Sequence, residues 1–415
     1  MKNYFFRRNF LRMSLWGALC VGLVCGPLWG GVAVAAEPVT ILAALPFSGP
    51  YAKSGMLMER GVKMAIEHAG GQVLGRPIRL ITRDTQTKSG VAIRRVEEAI
   101  EKEKGKISAI IGPWSSGVAL AVSEVARRRK VLHYFSGGTE DIAGKKCHRY
   151  SFQWAAHAYT AAHAIIDGVM KRYPDAKRWY TITVNYAFGW SVRDNFHLVG
   201  KNYGIQFVGD ALQPLGEREF SPYMSKIKAL KPDTICLINF GLDAIQSVRS
   251  AFNFGFTKTS RVIMSWSSGP EELEELTPEM REGVYLGSNF YYTVGTPVAN
   301  RYVNDYRKKY KVVPGYAPSA AYAMTRIVLL AIEKAGSSDP EKIIDTLEGF
   351  TYEGFYGRTR ILAANHQTER PYLLLRAKSK NEMKHSEDYA EILAMVKKQY
   401  PGDRGCKTDG GRPLP

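Results

Sequence analysis

From Val39 onward the chain alternates short, continuously apolar runs with longer stretches whose apolar residues recur at helical spacing. The first run, Val39–Leu45, ends in Pro46-Phe47-Ser48-Gly49-Pro50, a loop by its Pro and Gly content. Leu57, Gly61, Met64, Ala65 and His68 then mark a helix that stops at Gly70-Gly71. Spans 78–81, 107–111 and 131–135 read as further strands. Between them Ala92, Val96 and Ala99 mark one helix, and another opens at Ser116, a residue suited to cap it. Strands that are apolar throughout are buried on both faces. Alternating with amphipathic helices, they make a parallel sheet covered on two sides.

The same pattern restarts after about residue 155. Spans 179–184, 206–208, 234–238, 262–264 and 284–290 read as strands, and 191–201, 224–230, 242–252 and 320–335 as helices. Spans 359–362 and 372–375, joined by 363–370, read as a hairpin. The Pro- and Gly-rich tail from Gln399 reads as loose. At 415 residues, 45% of them apolar, the chain is long enough for two cores of ordinary size. The expectation is an α/β protein of two doubly wound parallel-sheet lobes.

The first 36 residues stand apart: they hold Lys2, Arg7, Arg8 and Arg12, no acid, an apolar run over 13–34, and the small-residue ending Ala33-Val34-Ala35-Ala36. This predicts a signal peptide cleaved near Ala35 or Ala36 and a periplasmic destination. Phe6-Arg7-Arg8-Asn9-Phe10-Leu11-Arg12 matches the twin-arginine export pattern, with the ordinary secretion route still open. Loss of the leader lowers the formal charge from +18 to about +14. The remaining bases are dispersed, as in Arg94-Arg95 and Lys308-Lys309, with no stripe interleaved with aromatics, so no nucleic-acid partner is expected.

Cys20 and Cys25 fall in the leader, and neither sits in a lipoprotein cleavage box. Cys147, Cys236 and Cys406 have no metal-site spacing. Cys236 lies in an apolar run and reads as a buried thiol, which leaves Cys147 and Cys406, both in polar contexts, as a candidate disulfide. There is no dinucleotide-binding glycine fingerprint, phosphate-binding loop, nucleophile elbow or histidine cluster. Neither a cofactor, a metal nor an enzyme is expected.

Several segments resemble one family. Ile41-Leu42-Ala43-Ala44-Leu45-Pro46-Phe47-Ser48-Gly49 and Gly61-Val62-Lys63-Met64-Ala65-Ile66-Glu67 look like the opening of the solute-binding proteins of branched-chain amino-acid ABC transporters. Ala109-Ile110-Ile111-Gly112-Pro113 with Ser115-Ser116-Gly117-Val118-Ala119 resembles that family's third strand and following helix. Phe135-Ser136-Gly137-Gly138-Thr139 fits the approach to its first crossover. Asn185-Tyr186-Ala187-Phe188-Gly189 resembles its Asp-Tyr-Ala-Phe-Gly turn, with Asn185 replacing the acid. The resemblance runs from about Val39 to about Ala377.

It implies a type I periplasmic binding fold: two lobes joined by three hinge crossings, with the ligand in the cleft between them. Lobe 1 would take 37–154 and 284–350, lobe 2 would take 155–283 and 351–380, and 381–415 would be a C-terminal tail. It also implies a monomer that captures a small solute and meets a membrane permease. Ligands sit beyond the carboxyl ends of strands in such sheets. Ser115 and Ser116 at a helix start suit a carboxylate. Gly137, Gly138 and Thr139 offer amides and a hydroxyl; Phe47, Tyr51, Trp114, Tyr186 and Phe188 offer apolar walls. Asn239, Phe240 and Asp243 follow a lobe-2 strand, and Asp243 would either meet a cationic group or stand as a solvated acid in a first helical turn. No acid stands at Met264-Ser265-Trp266-Ser267, where an ammonium partner is sought, and Glu271 and Glu272 come later. Amino acids and aromatic or apolar carboxylates therefore both remain as ligand classes. A periplasmic sensor of the same fold, and an exported enzyme, are the alternative functions.

Overall fold

The computed structural model describes residues 37–398, Tyr400 and Cys406; the expected leader and its cleavage site lie outside the described residues. The first sheet holds β1 (Val39–Leu45), β2 (Gln72–Val73), β3 (Arg76–Asp84), β4 (Ala109–Ile111), β5 (Leu132–Phe135) and β6 (Ser151–Gln153), in the order 2-3-1-4-5-6. All neighbours are parallel except β2, which turns back along β3. Helices α1 (Ala52–His68), α2 (Ser89–Lys102) and α3 (Ser116–Arg129) connect the strands. All residues of β1, β4, β5 and β6 are buried, as in a parallel sheet covered on both faces.

The second sheet holds β7 (Arg178–Val184), β8 (Gln206–Gln213), β9 (Thr234–Ile238), β10 (Arg261–Ser267) and β11 (Tyr285–Ser288), all parallel. Helices α4 (Ala158–Arg172), α5 (Ala187–Lys201), α6 (Ser221–Leu230) and α7 (Leu242–Asn253) belong to this lobe. After a detour through the first lobe, a small hairpin of β12 (Thr351–Gly354) and β13 (Gly357–Arg360) precedes β14 (Tyr372–Ala377) and β15 (Ala390–Val396). The last two join the second sheet antiparallel, giving the order 15-14-11-10-9-7-8.

Four expectations need correction. Span 284–290 does not open a lobe-1 segment: β11 pairs with β10 and β14, so the return to lobe 1 begins after Ser288. Spans 359–362 and 372–375 do not form a hairpin together, because β13 pairs with β12 while β14 pairs with β11 and β15. The β12–β13 hairpin packs on lobe 1, where Phe355 lies 5.1 Å from Tyr302 and 5.8 Å from Tyr322 between ring centres. Part of the expected lobe-2 span 351–380 therefore belongs to lobe 1. The expected tail from 381 contains β15, an integral strand. The helix Tyr316–Ala335 packs lengthwise on α1. The contact is so close that a Cβ on Gly61 would lie 2.0 Å from the Pro318 carbonyl oxygen.

Cys147, in the loop after β5, is disulfide-bonded to Cys406, with Cα atoms 5.4 Å apart, and Cys236 is a free buried thiol in β9. The bond ties lobe 1 to the segment that follows β15 and closes a span of 259 residues. Closing so long a span restricts the unfolded chain. The double variant Cys147→Ser/Cys406→Ser is expected to lose about 2–4 kcal/mol. Thermal unfolding checks this, with intact mass before and after reduction to confirm the bond; equal melting of parent and variant would refute it.

Candidate functional site

The carboxyl ends of both sheets face one another, and the loops that leave them form a small cavity. Lobe 1 contributes Tyr51 before α1, Trp114 after β4, Ser116 in the first turn of α3, Ser136, Gly137 and Gly138 after β5, and Tyr316. Lobe 2 contributes Tyr186 before α5, Phe188 in its first turn, Phe240 after β9, and Trp266 near the end of β10.

The rings pack on each other. Trp114 lies 4.8 Å from Tyr316 and 5.4 Å from Phe240; Phe188 stands edge-on to Trp266 at 5.6 Å. The Tyr51 and Tyr186 hydroxyls are 2.8 Å apart across the cleft, and those of Ser136 and Tyr316 are also 2.8 Å apart. Burial pushes the phenol of Tyr51 well up, with the Tyr186 ring beside it adding to the effect, and burial does the same to Tyr186 and Tyr316. The cleft is thus lined by neutral groups: seven rings, two serines and two glycines.

The polar side is built by two loops. Ser115 occupies the N-cap position of α3 and gives no capping hydrogen bond, so Ser116 is the first helical residue rather than the cap. The Ser116 hydroxyl instead accepts the Thr139 N–H at 3.3 Å. The Gln153 side-chain amide donates to the Gly137 and Thr139 carbonyls, each at 2.8 Å, and so fixes the glycine loop in place. The start of α3, with backbone amides unused by a cap, faces a cavity that lacks charged side chains.

The remaining sequence candidates lie off the cavity wall. Phe47 donates its N–H to Asp84 at the end of β3. Ser115 and Thr139 are buried behind the wall. Asn239 is buried and donates to Ser247 at 3.2 Å. Asp243 accepts from the Gln213 amide at 2.9 Å and the Gly216 N–H at 3.0 Å. Both side chains turn into lobe 2, so the expected cation contact for Asp243 is corrected. The helix expected to open at Ser191 begins at Ala187, which puts Phe188 inside its first turn.

Sequence reasoning passed over Ser136, Trp266 and Tyr316 as ligand contacts, and placed Phe240 after a lobe-2 strand without giving it a role. Phe240 and Trp266 carry a usable signal, an aromatic residue closing an apolar strand. Tyr316 has none, because only the return of the chain to lobe 1 brings it beside Trp114. The acids Glu271 and Glu272 also come nearer than their sequence position suggests. Glu272 folds back so that one oxygen accepts from Gly241 N–H at 2.8 Å, and the other from the Ser267 hydroxyl at 2.7 Å and Ser268 N–H at 3.0 Å. Glu271 accepts the Gly315 N–H of the facing lobe at 2.8 Å. Glu272 is buried and Glu271 partly buried, and neither lines the cavity.

Lobes meet elsewhere along the cleft rim. The Lys53 ammonium lies 2.9 Å from the Glu275 carboxylate, and the Asn195 amide donates to Glu140 at 2.6 Å. The structure is therefore that of a closed pair of lobes. Among the described residues no three His, Cys, Asp or Glu side chains gather to hold a metal.

Residues 38–382 match the family described as periplasmic binding protein. A Leu/Ile/Val-binding protein homolog 4 of Brucella melitensis is 25% identical over 94% of this chain and 96% of its own length. The structure of an amino acid ABC transporter substrate-binding protein from Pseudomonas fluorescens Pf-5 is 33% identical, covers 90% of this chain and 100% of that one, and superposes with a TM-score of 0.85. A solute-binding protein from Rhodopseudomonas palustris BisB5, solved with 3,4-dihydroxybenzoic acid, is 20% identical, covers 87% of this chain and 97% of that one, and superposes at 0.77.

Proposed function

Because this chain belongs to the periplasmic binding protein family, whose members are exported solute-binding proteins of ABC transporters, we propose that it captures a small aromatic or apolar carboxylate between its lobes and delivers it to a membrane permease. The observation that carries the ligand class is the cavity wall: seven rings and no charged side chain. An apolar or aromatic body gains by leaving water for such a wall. A carboxylate finds partners in the first-turn amides of α3 and the Ser116 hydroxyl. The dihydroxybenzoate complex supports this only to the extent that the same fold accommodates an aromatic acid.

A second reading, an α-amino acid, is favoured by the Glu271–Glu272 pair behind the wall and by the name of the Pseudomonas fluorescens relative. An ammonium in the cavity needs a facing carboxylate, and neither acid lines it.

Thermal shift of the mature protein, unfolded and refolded to strip any carried ligand, separates the readings. The panel contains benzoate and hydroxybenzoates, short aliphatic acids, and amino acids paired with their des-amino analogues. A ligand at one hundred times its Kd adds about 2.7 kcal/mol to native stability. Aromatic carboxylates are expected to raise the melting temperature without being consumed. A shift with leucine but not with 4-methylpentanoate would replace the ligand class and keep the receptor. No shift across the panel would overturn the class altogether.

A further inference from the structure

Beside the Trp154 ring lies a second, small cavity bounded by Tyr352, Phe355, Tyr356, Arg326 and Arg370, among others. Arg370 is only 4% exposed. Its guanidinium lies over the Trp154 ring at 3.5 Å and beside the Tyr356 ring at 5.0 Å, and its Nη2 donates to the Asn289 carbonyl. Its other two nitrogens, Nε and Nη1, are buried with no hydrogen-bond partner among the described residues, as is the Asn289 side-chain nitrogen. No carboxylate lines this cavity. The second cation there, Arg326, donates to the Glu353 carbonyl at 2.7 Å. Burial pulls the Arg370 pKa down, and nearby tyrosines offset it in part, Tyr356 first, whose hydroxyl also approaches the guanidinium.

A buried charge is ordinarily paired, because desolvation is otherwise uncompensated. Ring faces satisfy the flat sides of a guanidinium through cation–π attraction, but its edge needs acceptors. Here the unused edge belongs to a side chain that lines the cavity, the wall offers neutral hydroxyls and no carboxylate, and both charges are positive.

The geometry points to a small monovalent anion, a halide or a short carboxylate, bound in this cavity against the free edge of Arg370. The place is mechanically significant. Trp154 follows β6 at the first crossing between lobes, Asn289 follows β11 at the second, and Arg370 precedes β14 at the third. Ala156 N–H also donates to the Asn289 side chain at 2.7 Å, and Gln367 donates to the Ala155 carbonyl at 2.7 Å. An anion on Arg370 therefore braces all three crossing segments at one point, apart from the solute cavity.

Two measurements on the mature protein test this. Crystals soaked in bromide are expected to show an anomalous peak within hydrogen-bonding reach of Arg370 Nε and Nη1. In solution, at constant ionic strength, replacing gluconate by chloride or by acetate is expected to raise the melting temperature by a few degrees with saturation, and Arg370→Met is expected to remove that response. A response to acetate alone identifies the occupant as a carboxylate and keeps the site. Should the methionine variant fail to fold, the bromide peak in the parent decides. Identical melting in all three salts together with no bromide peak would overturn the proposal, leaving water, the rings and the Asn289 carbonyl as the company of Arg370.

Discussion

Gly138→Val abolishes ligand capture, with a loss of at least about 100-fold in affinity, while each lobe stays folded. Gly138 belongs to lobe 1, in the loop after β5. A Cβ there would lie 2.6 Å and 2.8 Å from two carbons of the Phe188 ring and 3.3 Å from Trp266, both of lobe 2. The Phe188 ring is 4% exposed and held edge-on by Trp266, so it has little room to retreat. The clash exists only when the lobes are closed. A side chain at 138 therefore lowers the closed population, and apparent affinity falls with the competent fraction. Gly117, at the start of α3, is the matched control. Its Cβ would meet nothing nearer than Tyr186 at 3.9 Å, so Gly117→Ala is expected to bind normally. Calorimetric titration with the ligand found by thermal shift, and small-angle scattering with and without it, give the readout. The valine variant should not compact on adding ligand. Unchanged affinity would show that closure does not bring these groups together.

The second large effect is on stability against pH. Burial pushes the Glu271 carboxyl up to about 8, with the neighbouring Glu272 adding to it, and burial pushes Glu272 up to about 7. In the unfolded chain both titrate near 4.5. The folded state therefore holds more protons than the unfolded state between these values, and stability falls as pH rises. The contribution is complete below about 4.5 and is lost as pH passes through about 7 and about 8.

Buried histidines act in the opposite sense. His133 is pushed down to about 3 by burial, and His68 and His197 are lowered for the same reason. Their effect is spent once the unfolded histidine has titrated, near 6.5. The expected result is a melting temperature that declines between pH 6.5 and 8, a loss of about 2 kcal/mol. Glu271→Gln and Glu272→Gln should each flatten that decline. Glutamine keeps an oxygen for the Gly315 or Gly241 amide, so the variants test the charge rather than the contact. Calorimetric scans at closely spaced pH values measure it, and a slope unaltered in both variants would remove these acids as its source.

Much of the scaffold is legible in the sequence. Val39–Leu45, Thr234–Ile238 and the helices between strands follow from burial on two faces and from helical periodicity, which are local properties. The strand-end loops are legible for the same reason: Trp114, Ser116, Gly137, Gly138, Tyr186 and Phe188 all stand where an apolar run gives way to Gly, Ser or Pro, and all line the cavity. Asn239 and Asp243 share that context, yet their side chains turn to Ser247 and Gln213. Position along the chain fixes which end of a strand a residue occupies, and not which neighbour satisfies its polar atoms. Span 284–290 shows the same limit for topology, since an apolar run does not state which sheet it joins. Only the folded chain places Tyr316 against Trp114, folds Glu272 back on Ser267, and gathers Trp154, Asn289 and Arg370 at the three crossings. Sequence by itself determined the alternation of elements and the loops that face a ligand, because backbone burial and turn chemistry act over a few residues. The pairing of lobes, the ring wall and the unpaired guanidinium were decided by contacts between segments far apart in the chain, where close packing selects partners that no local pattern encodes.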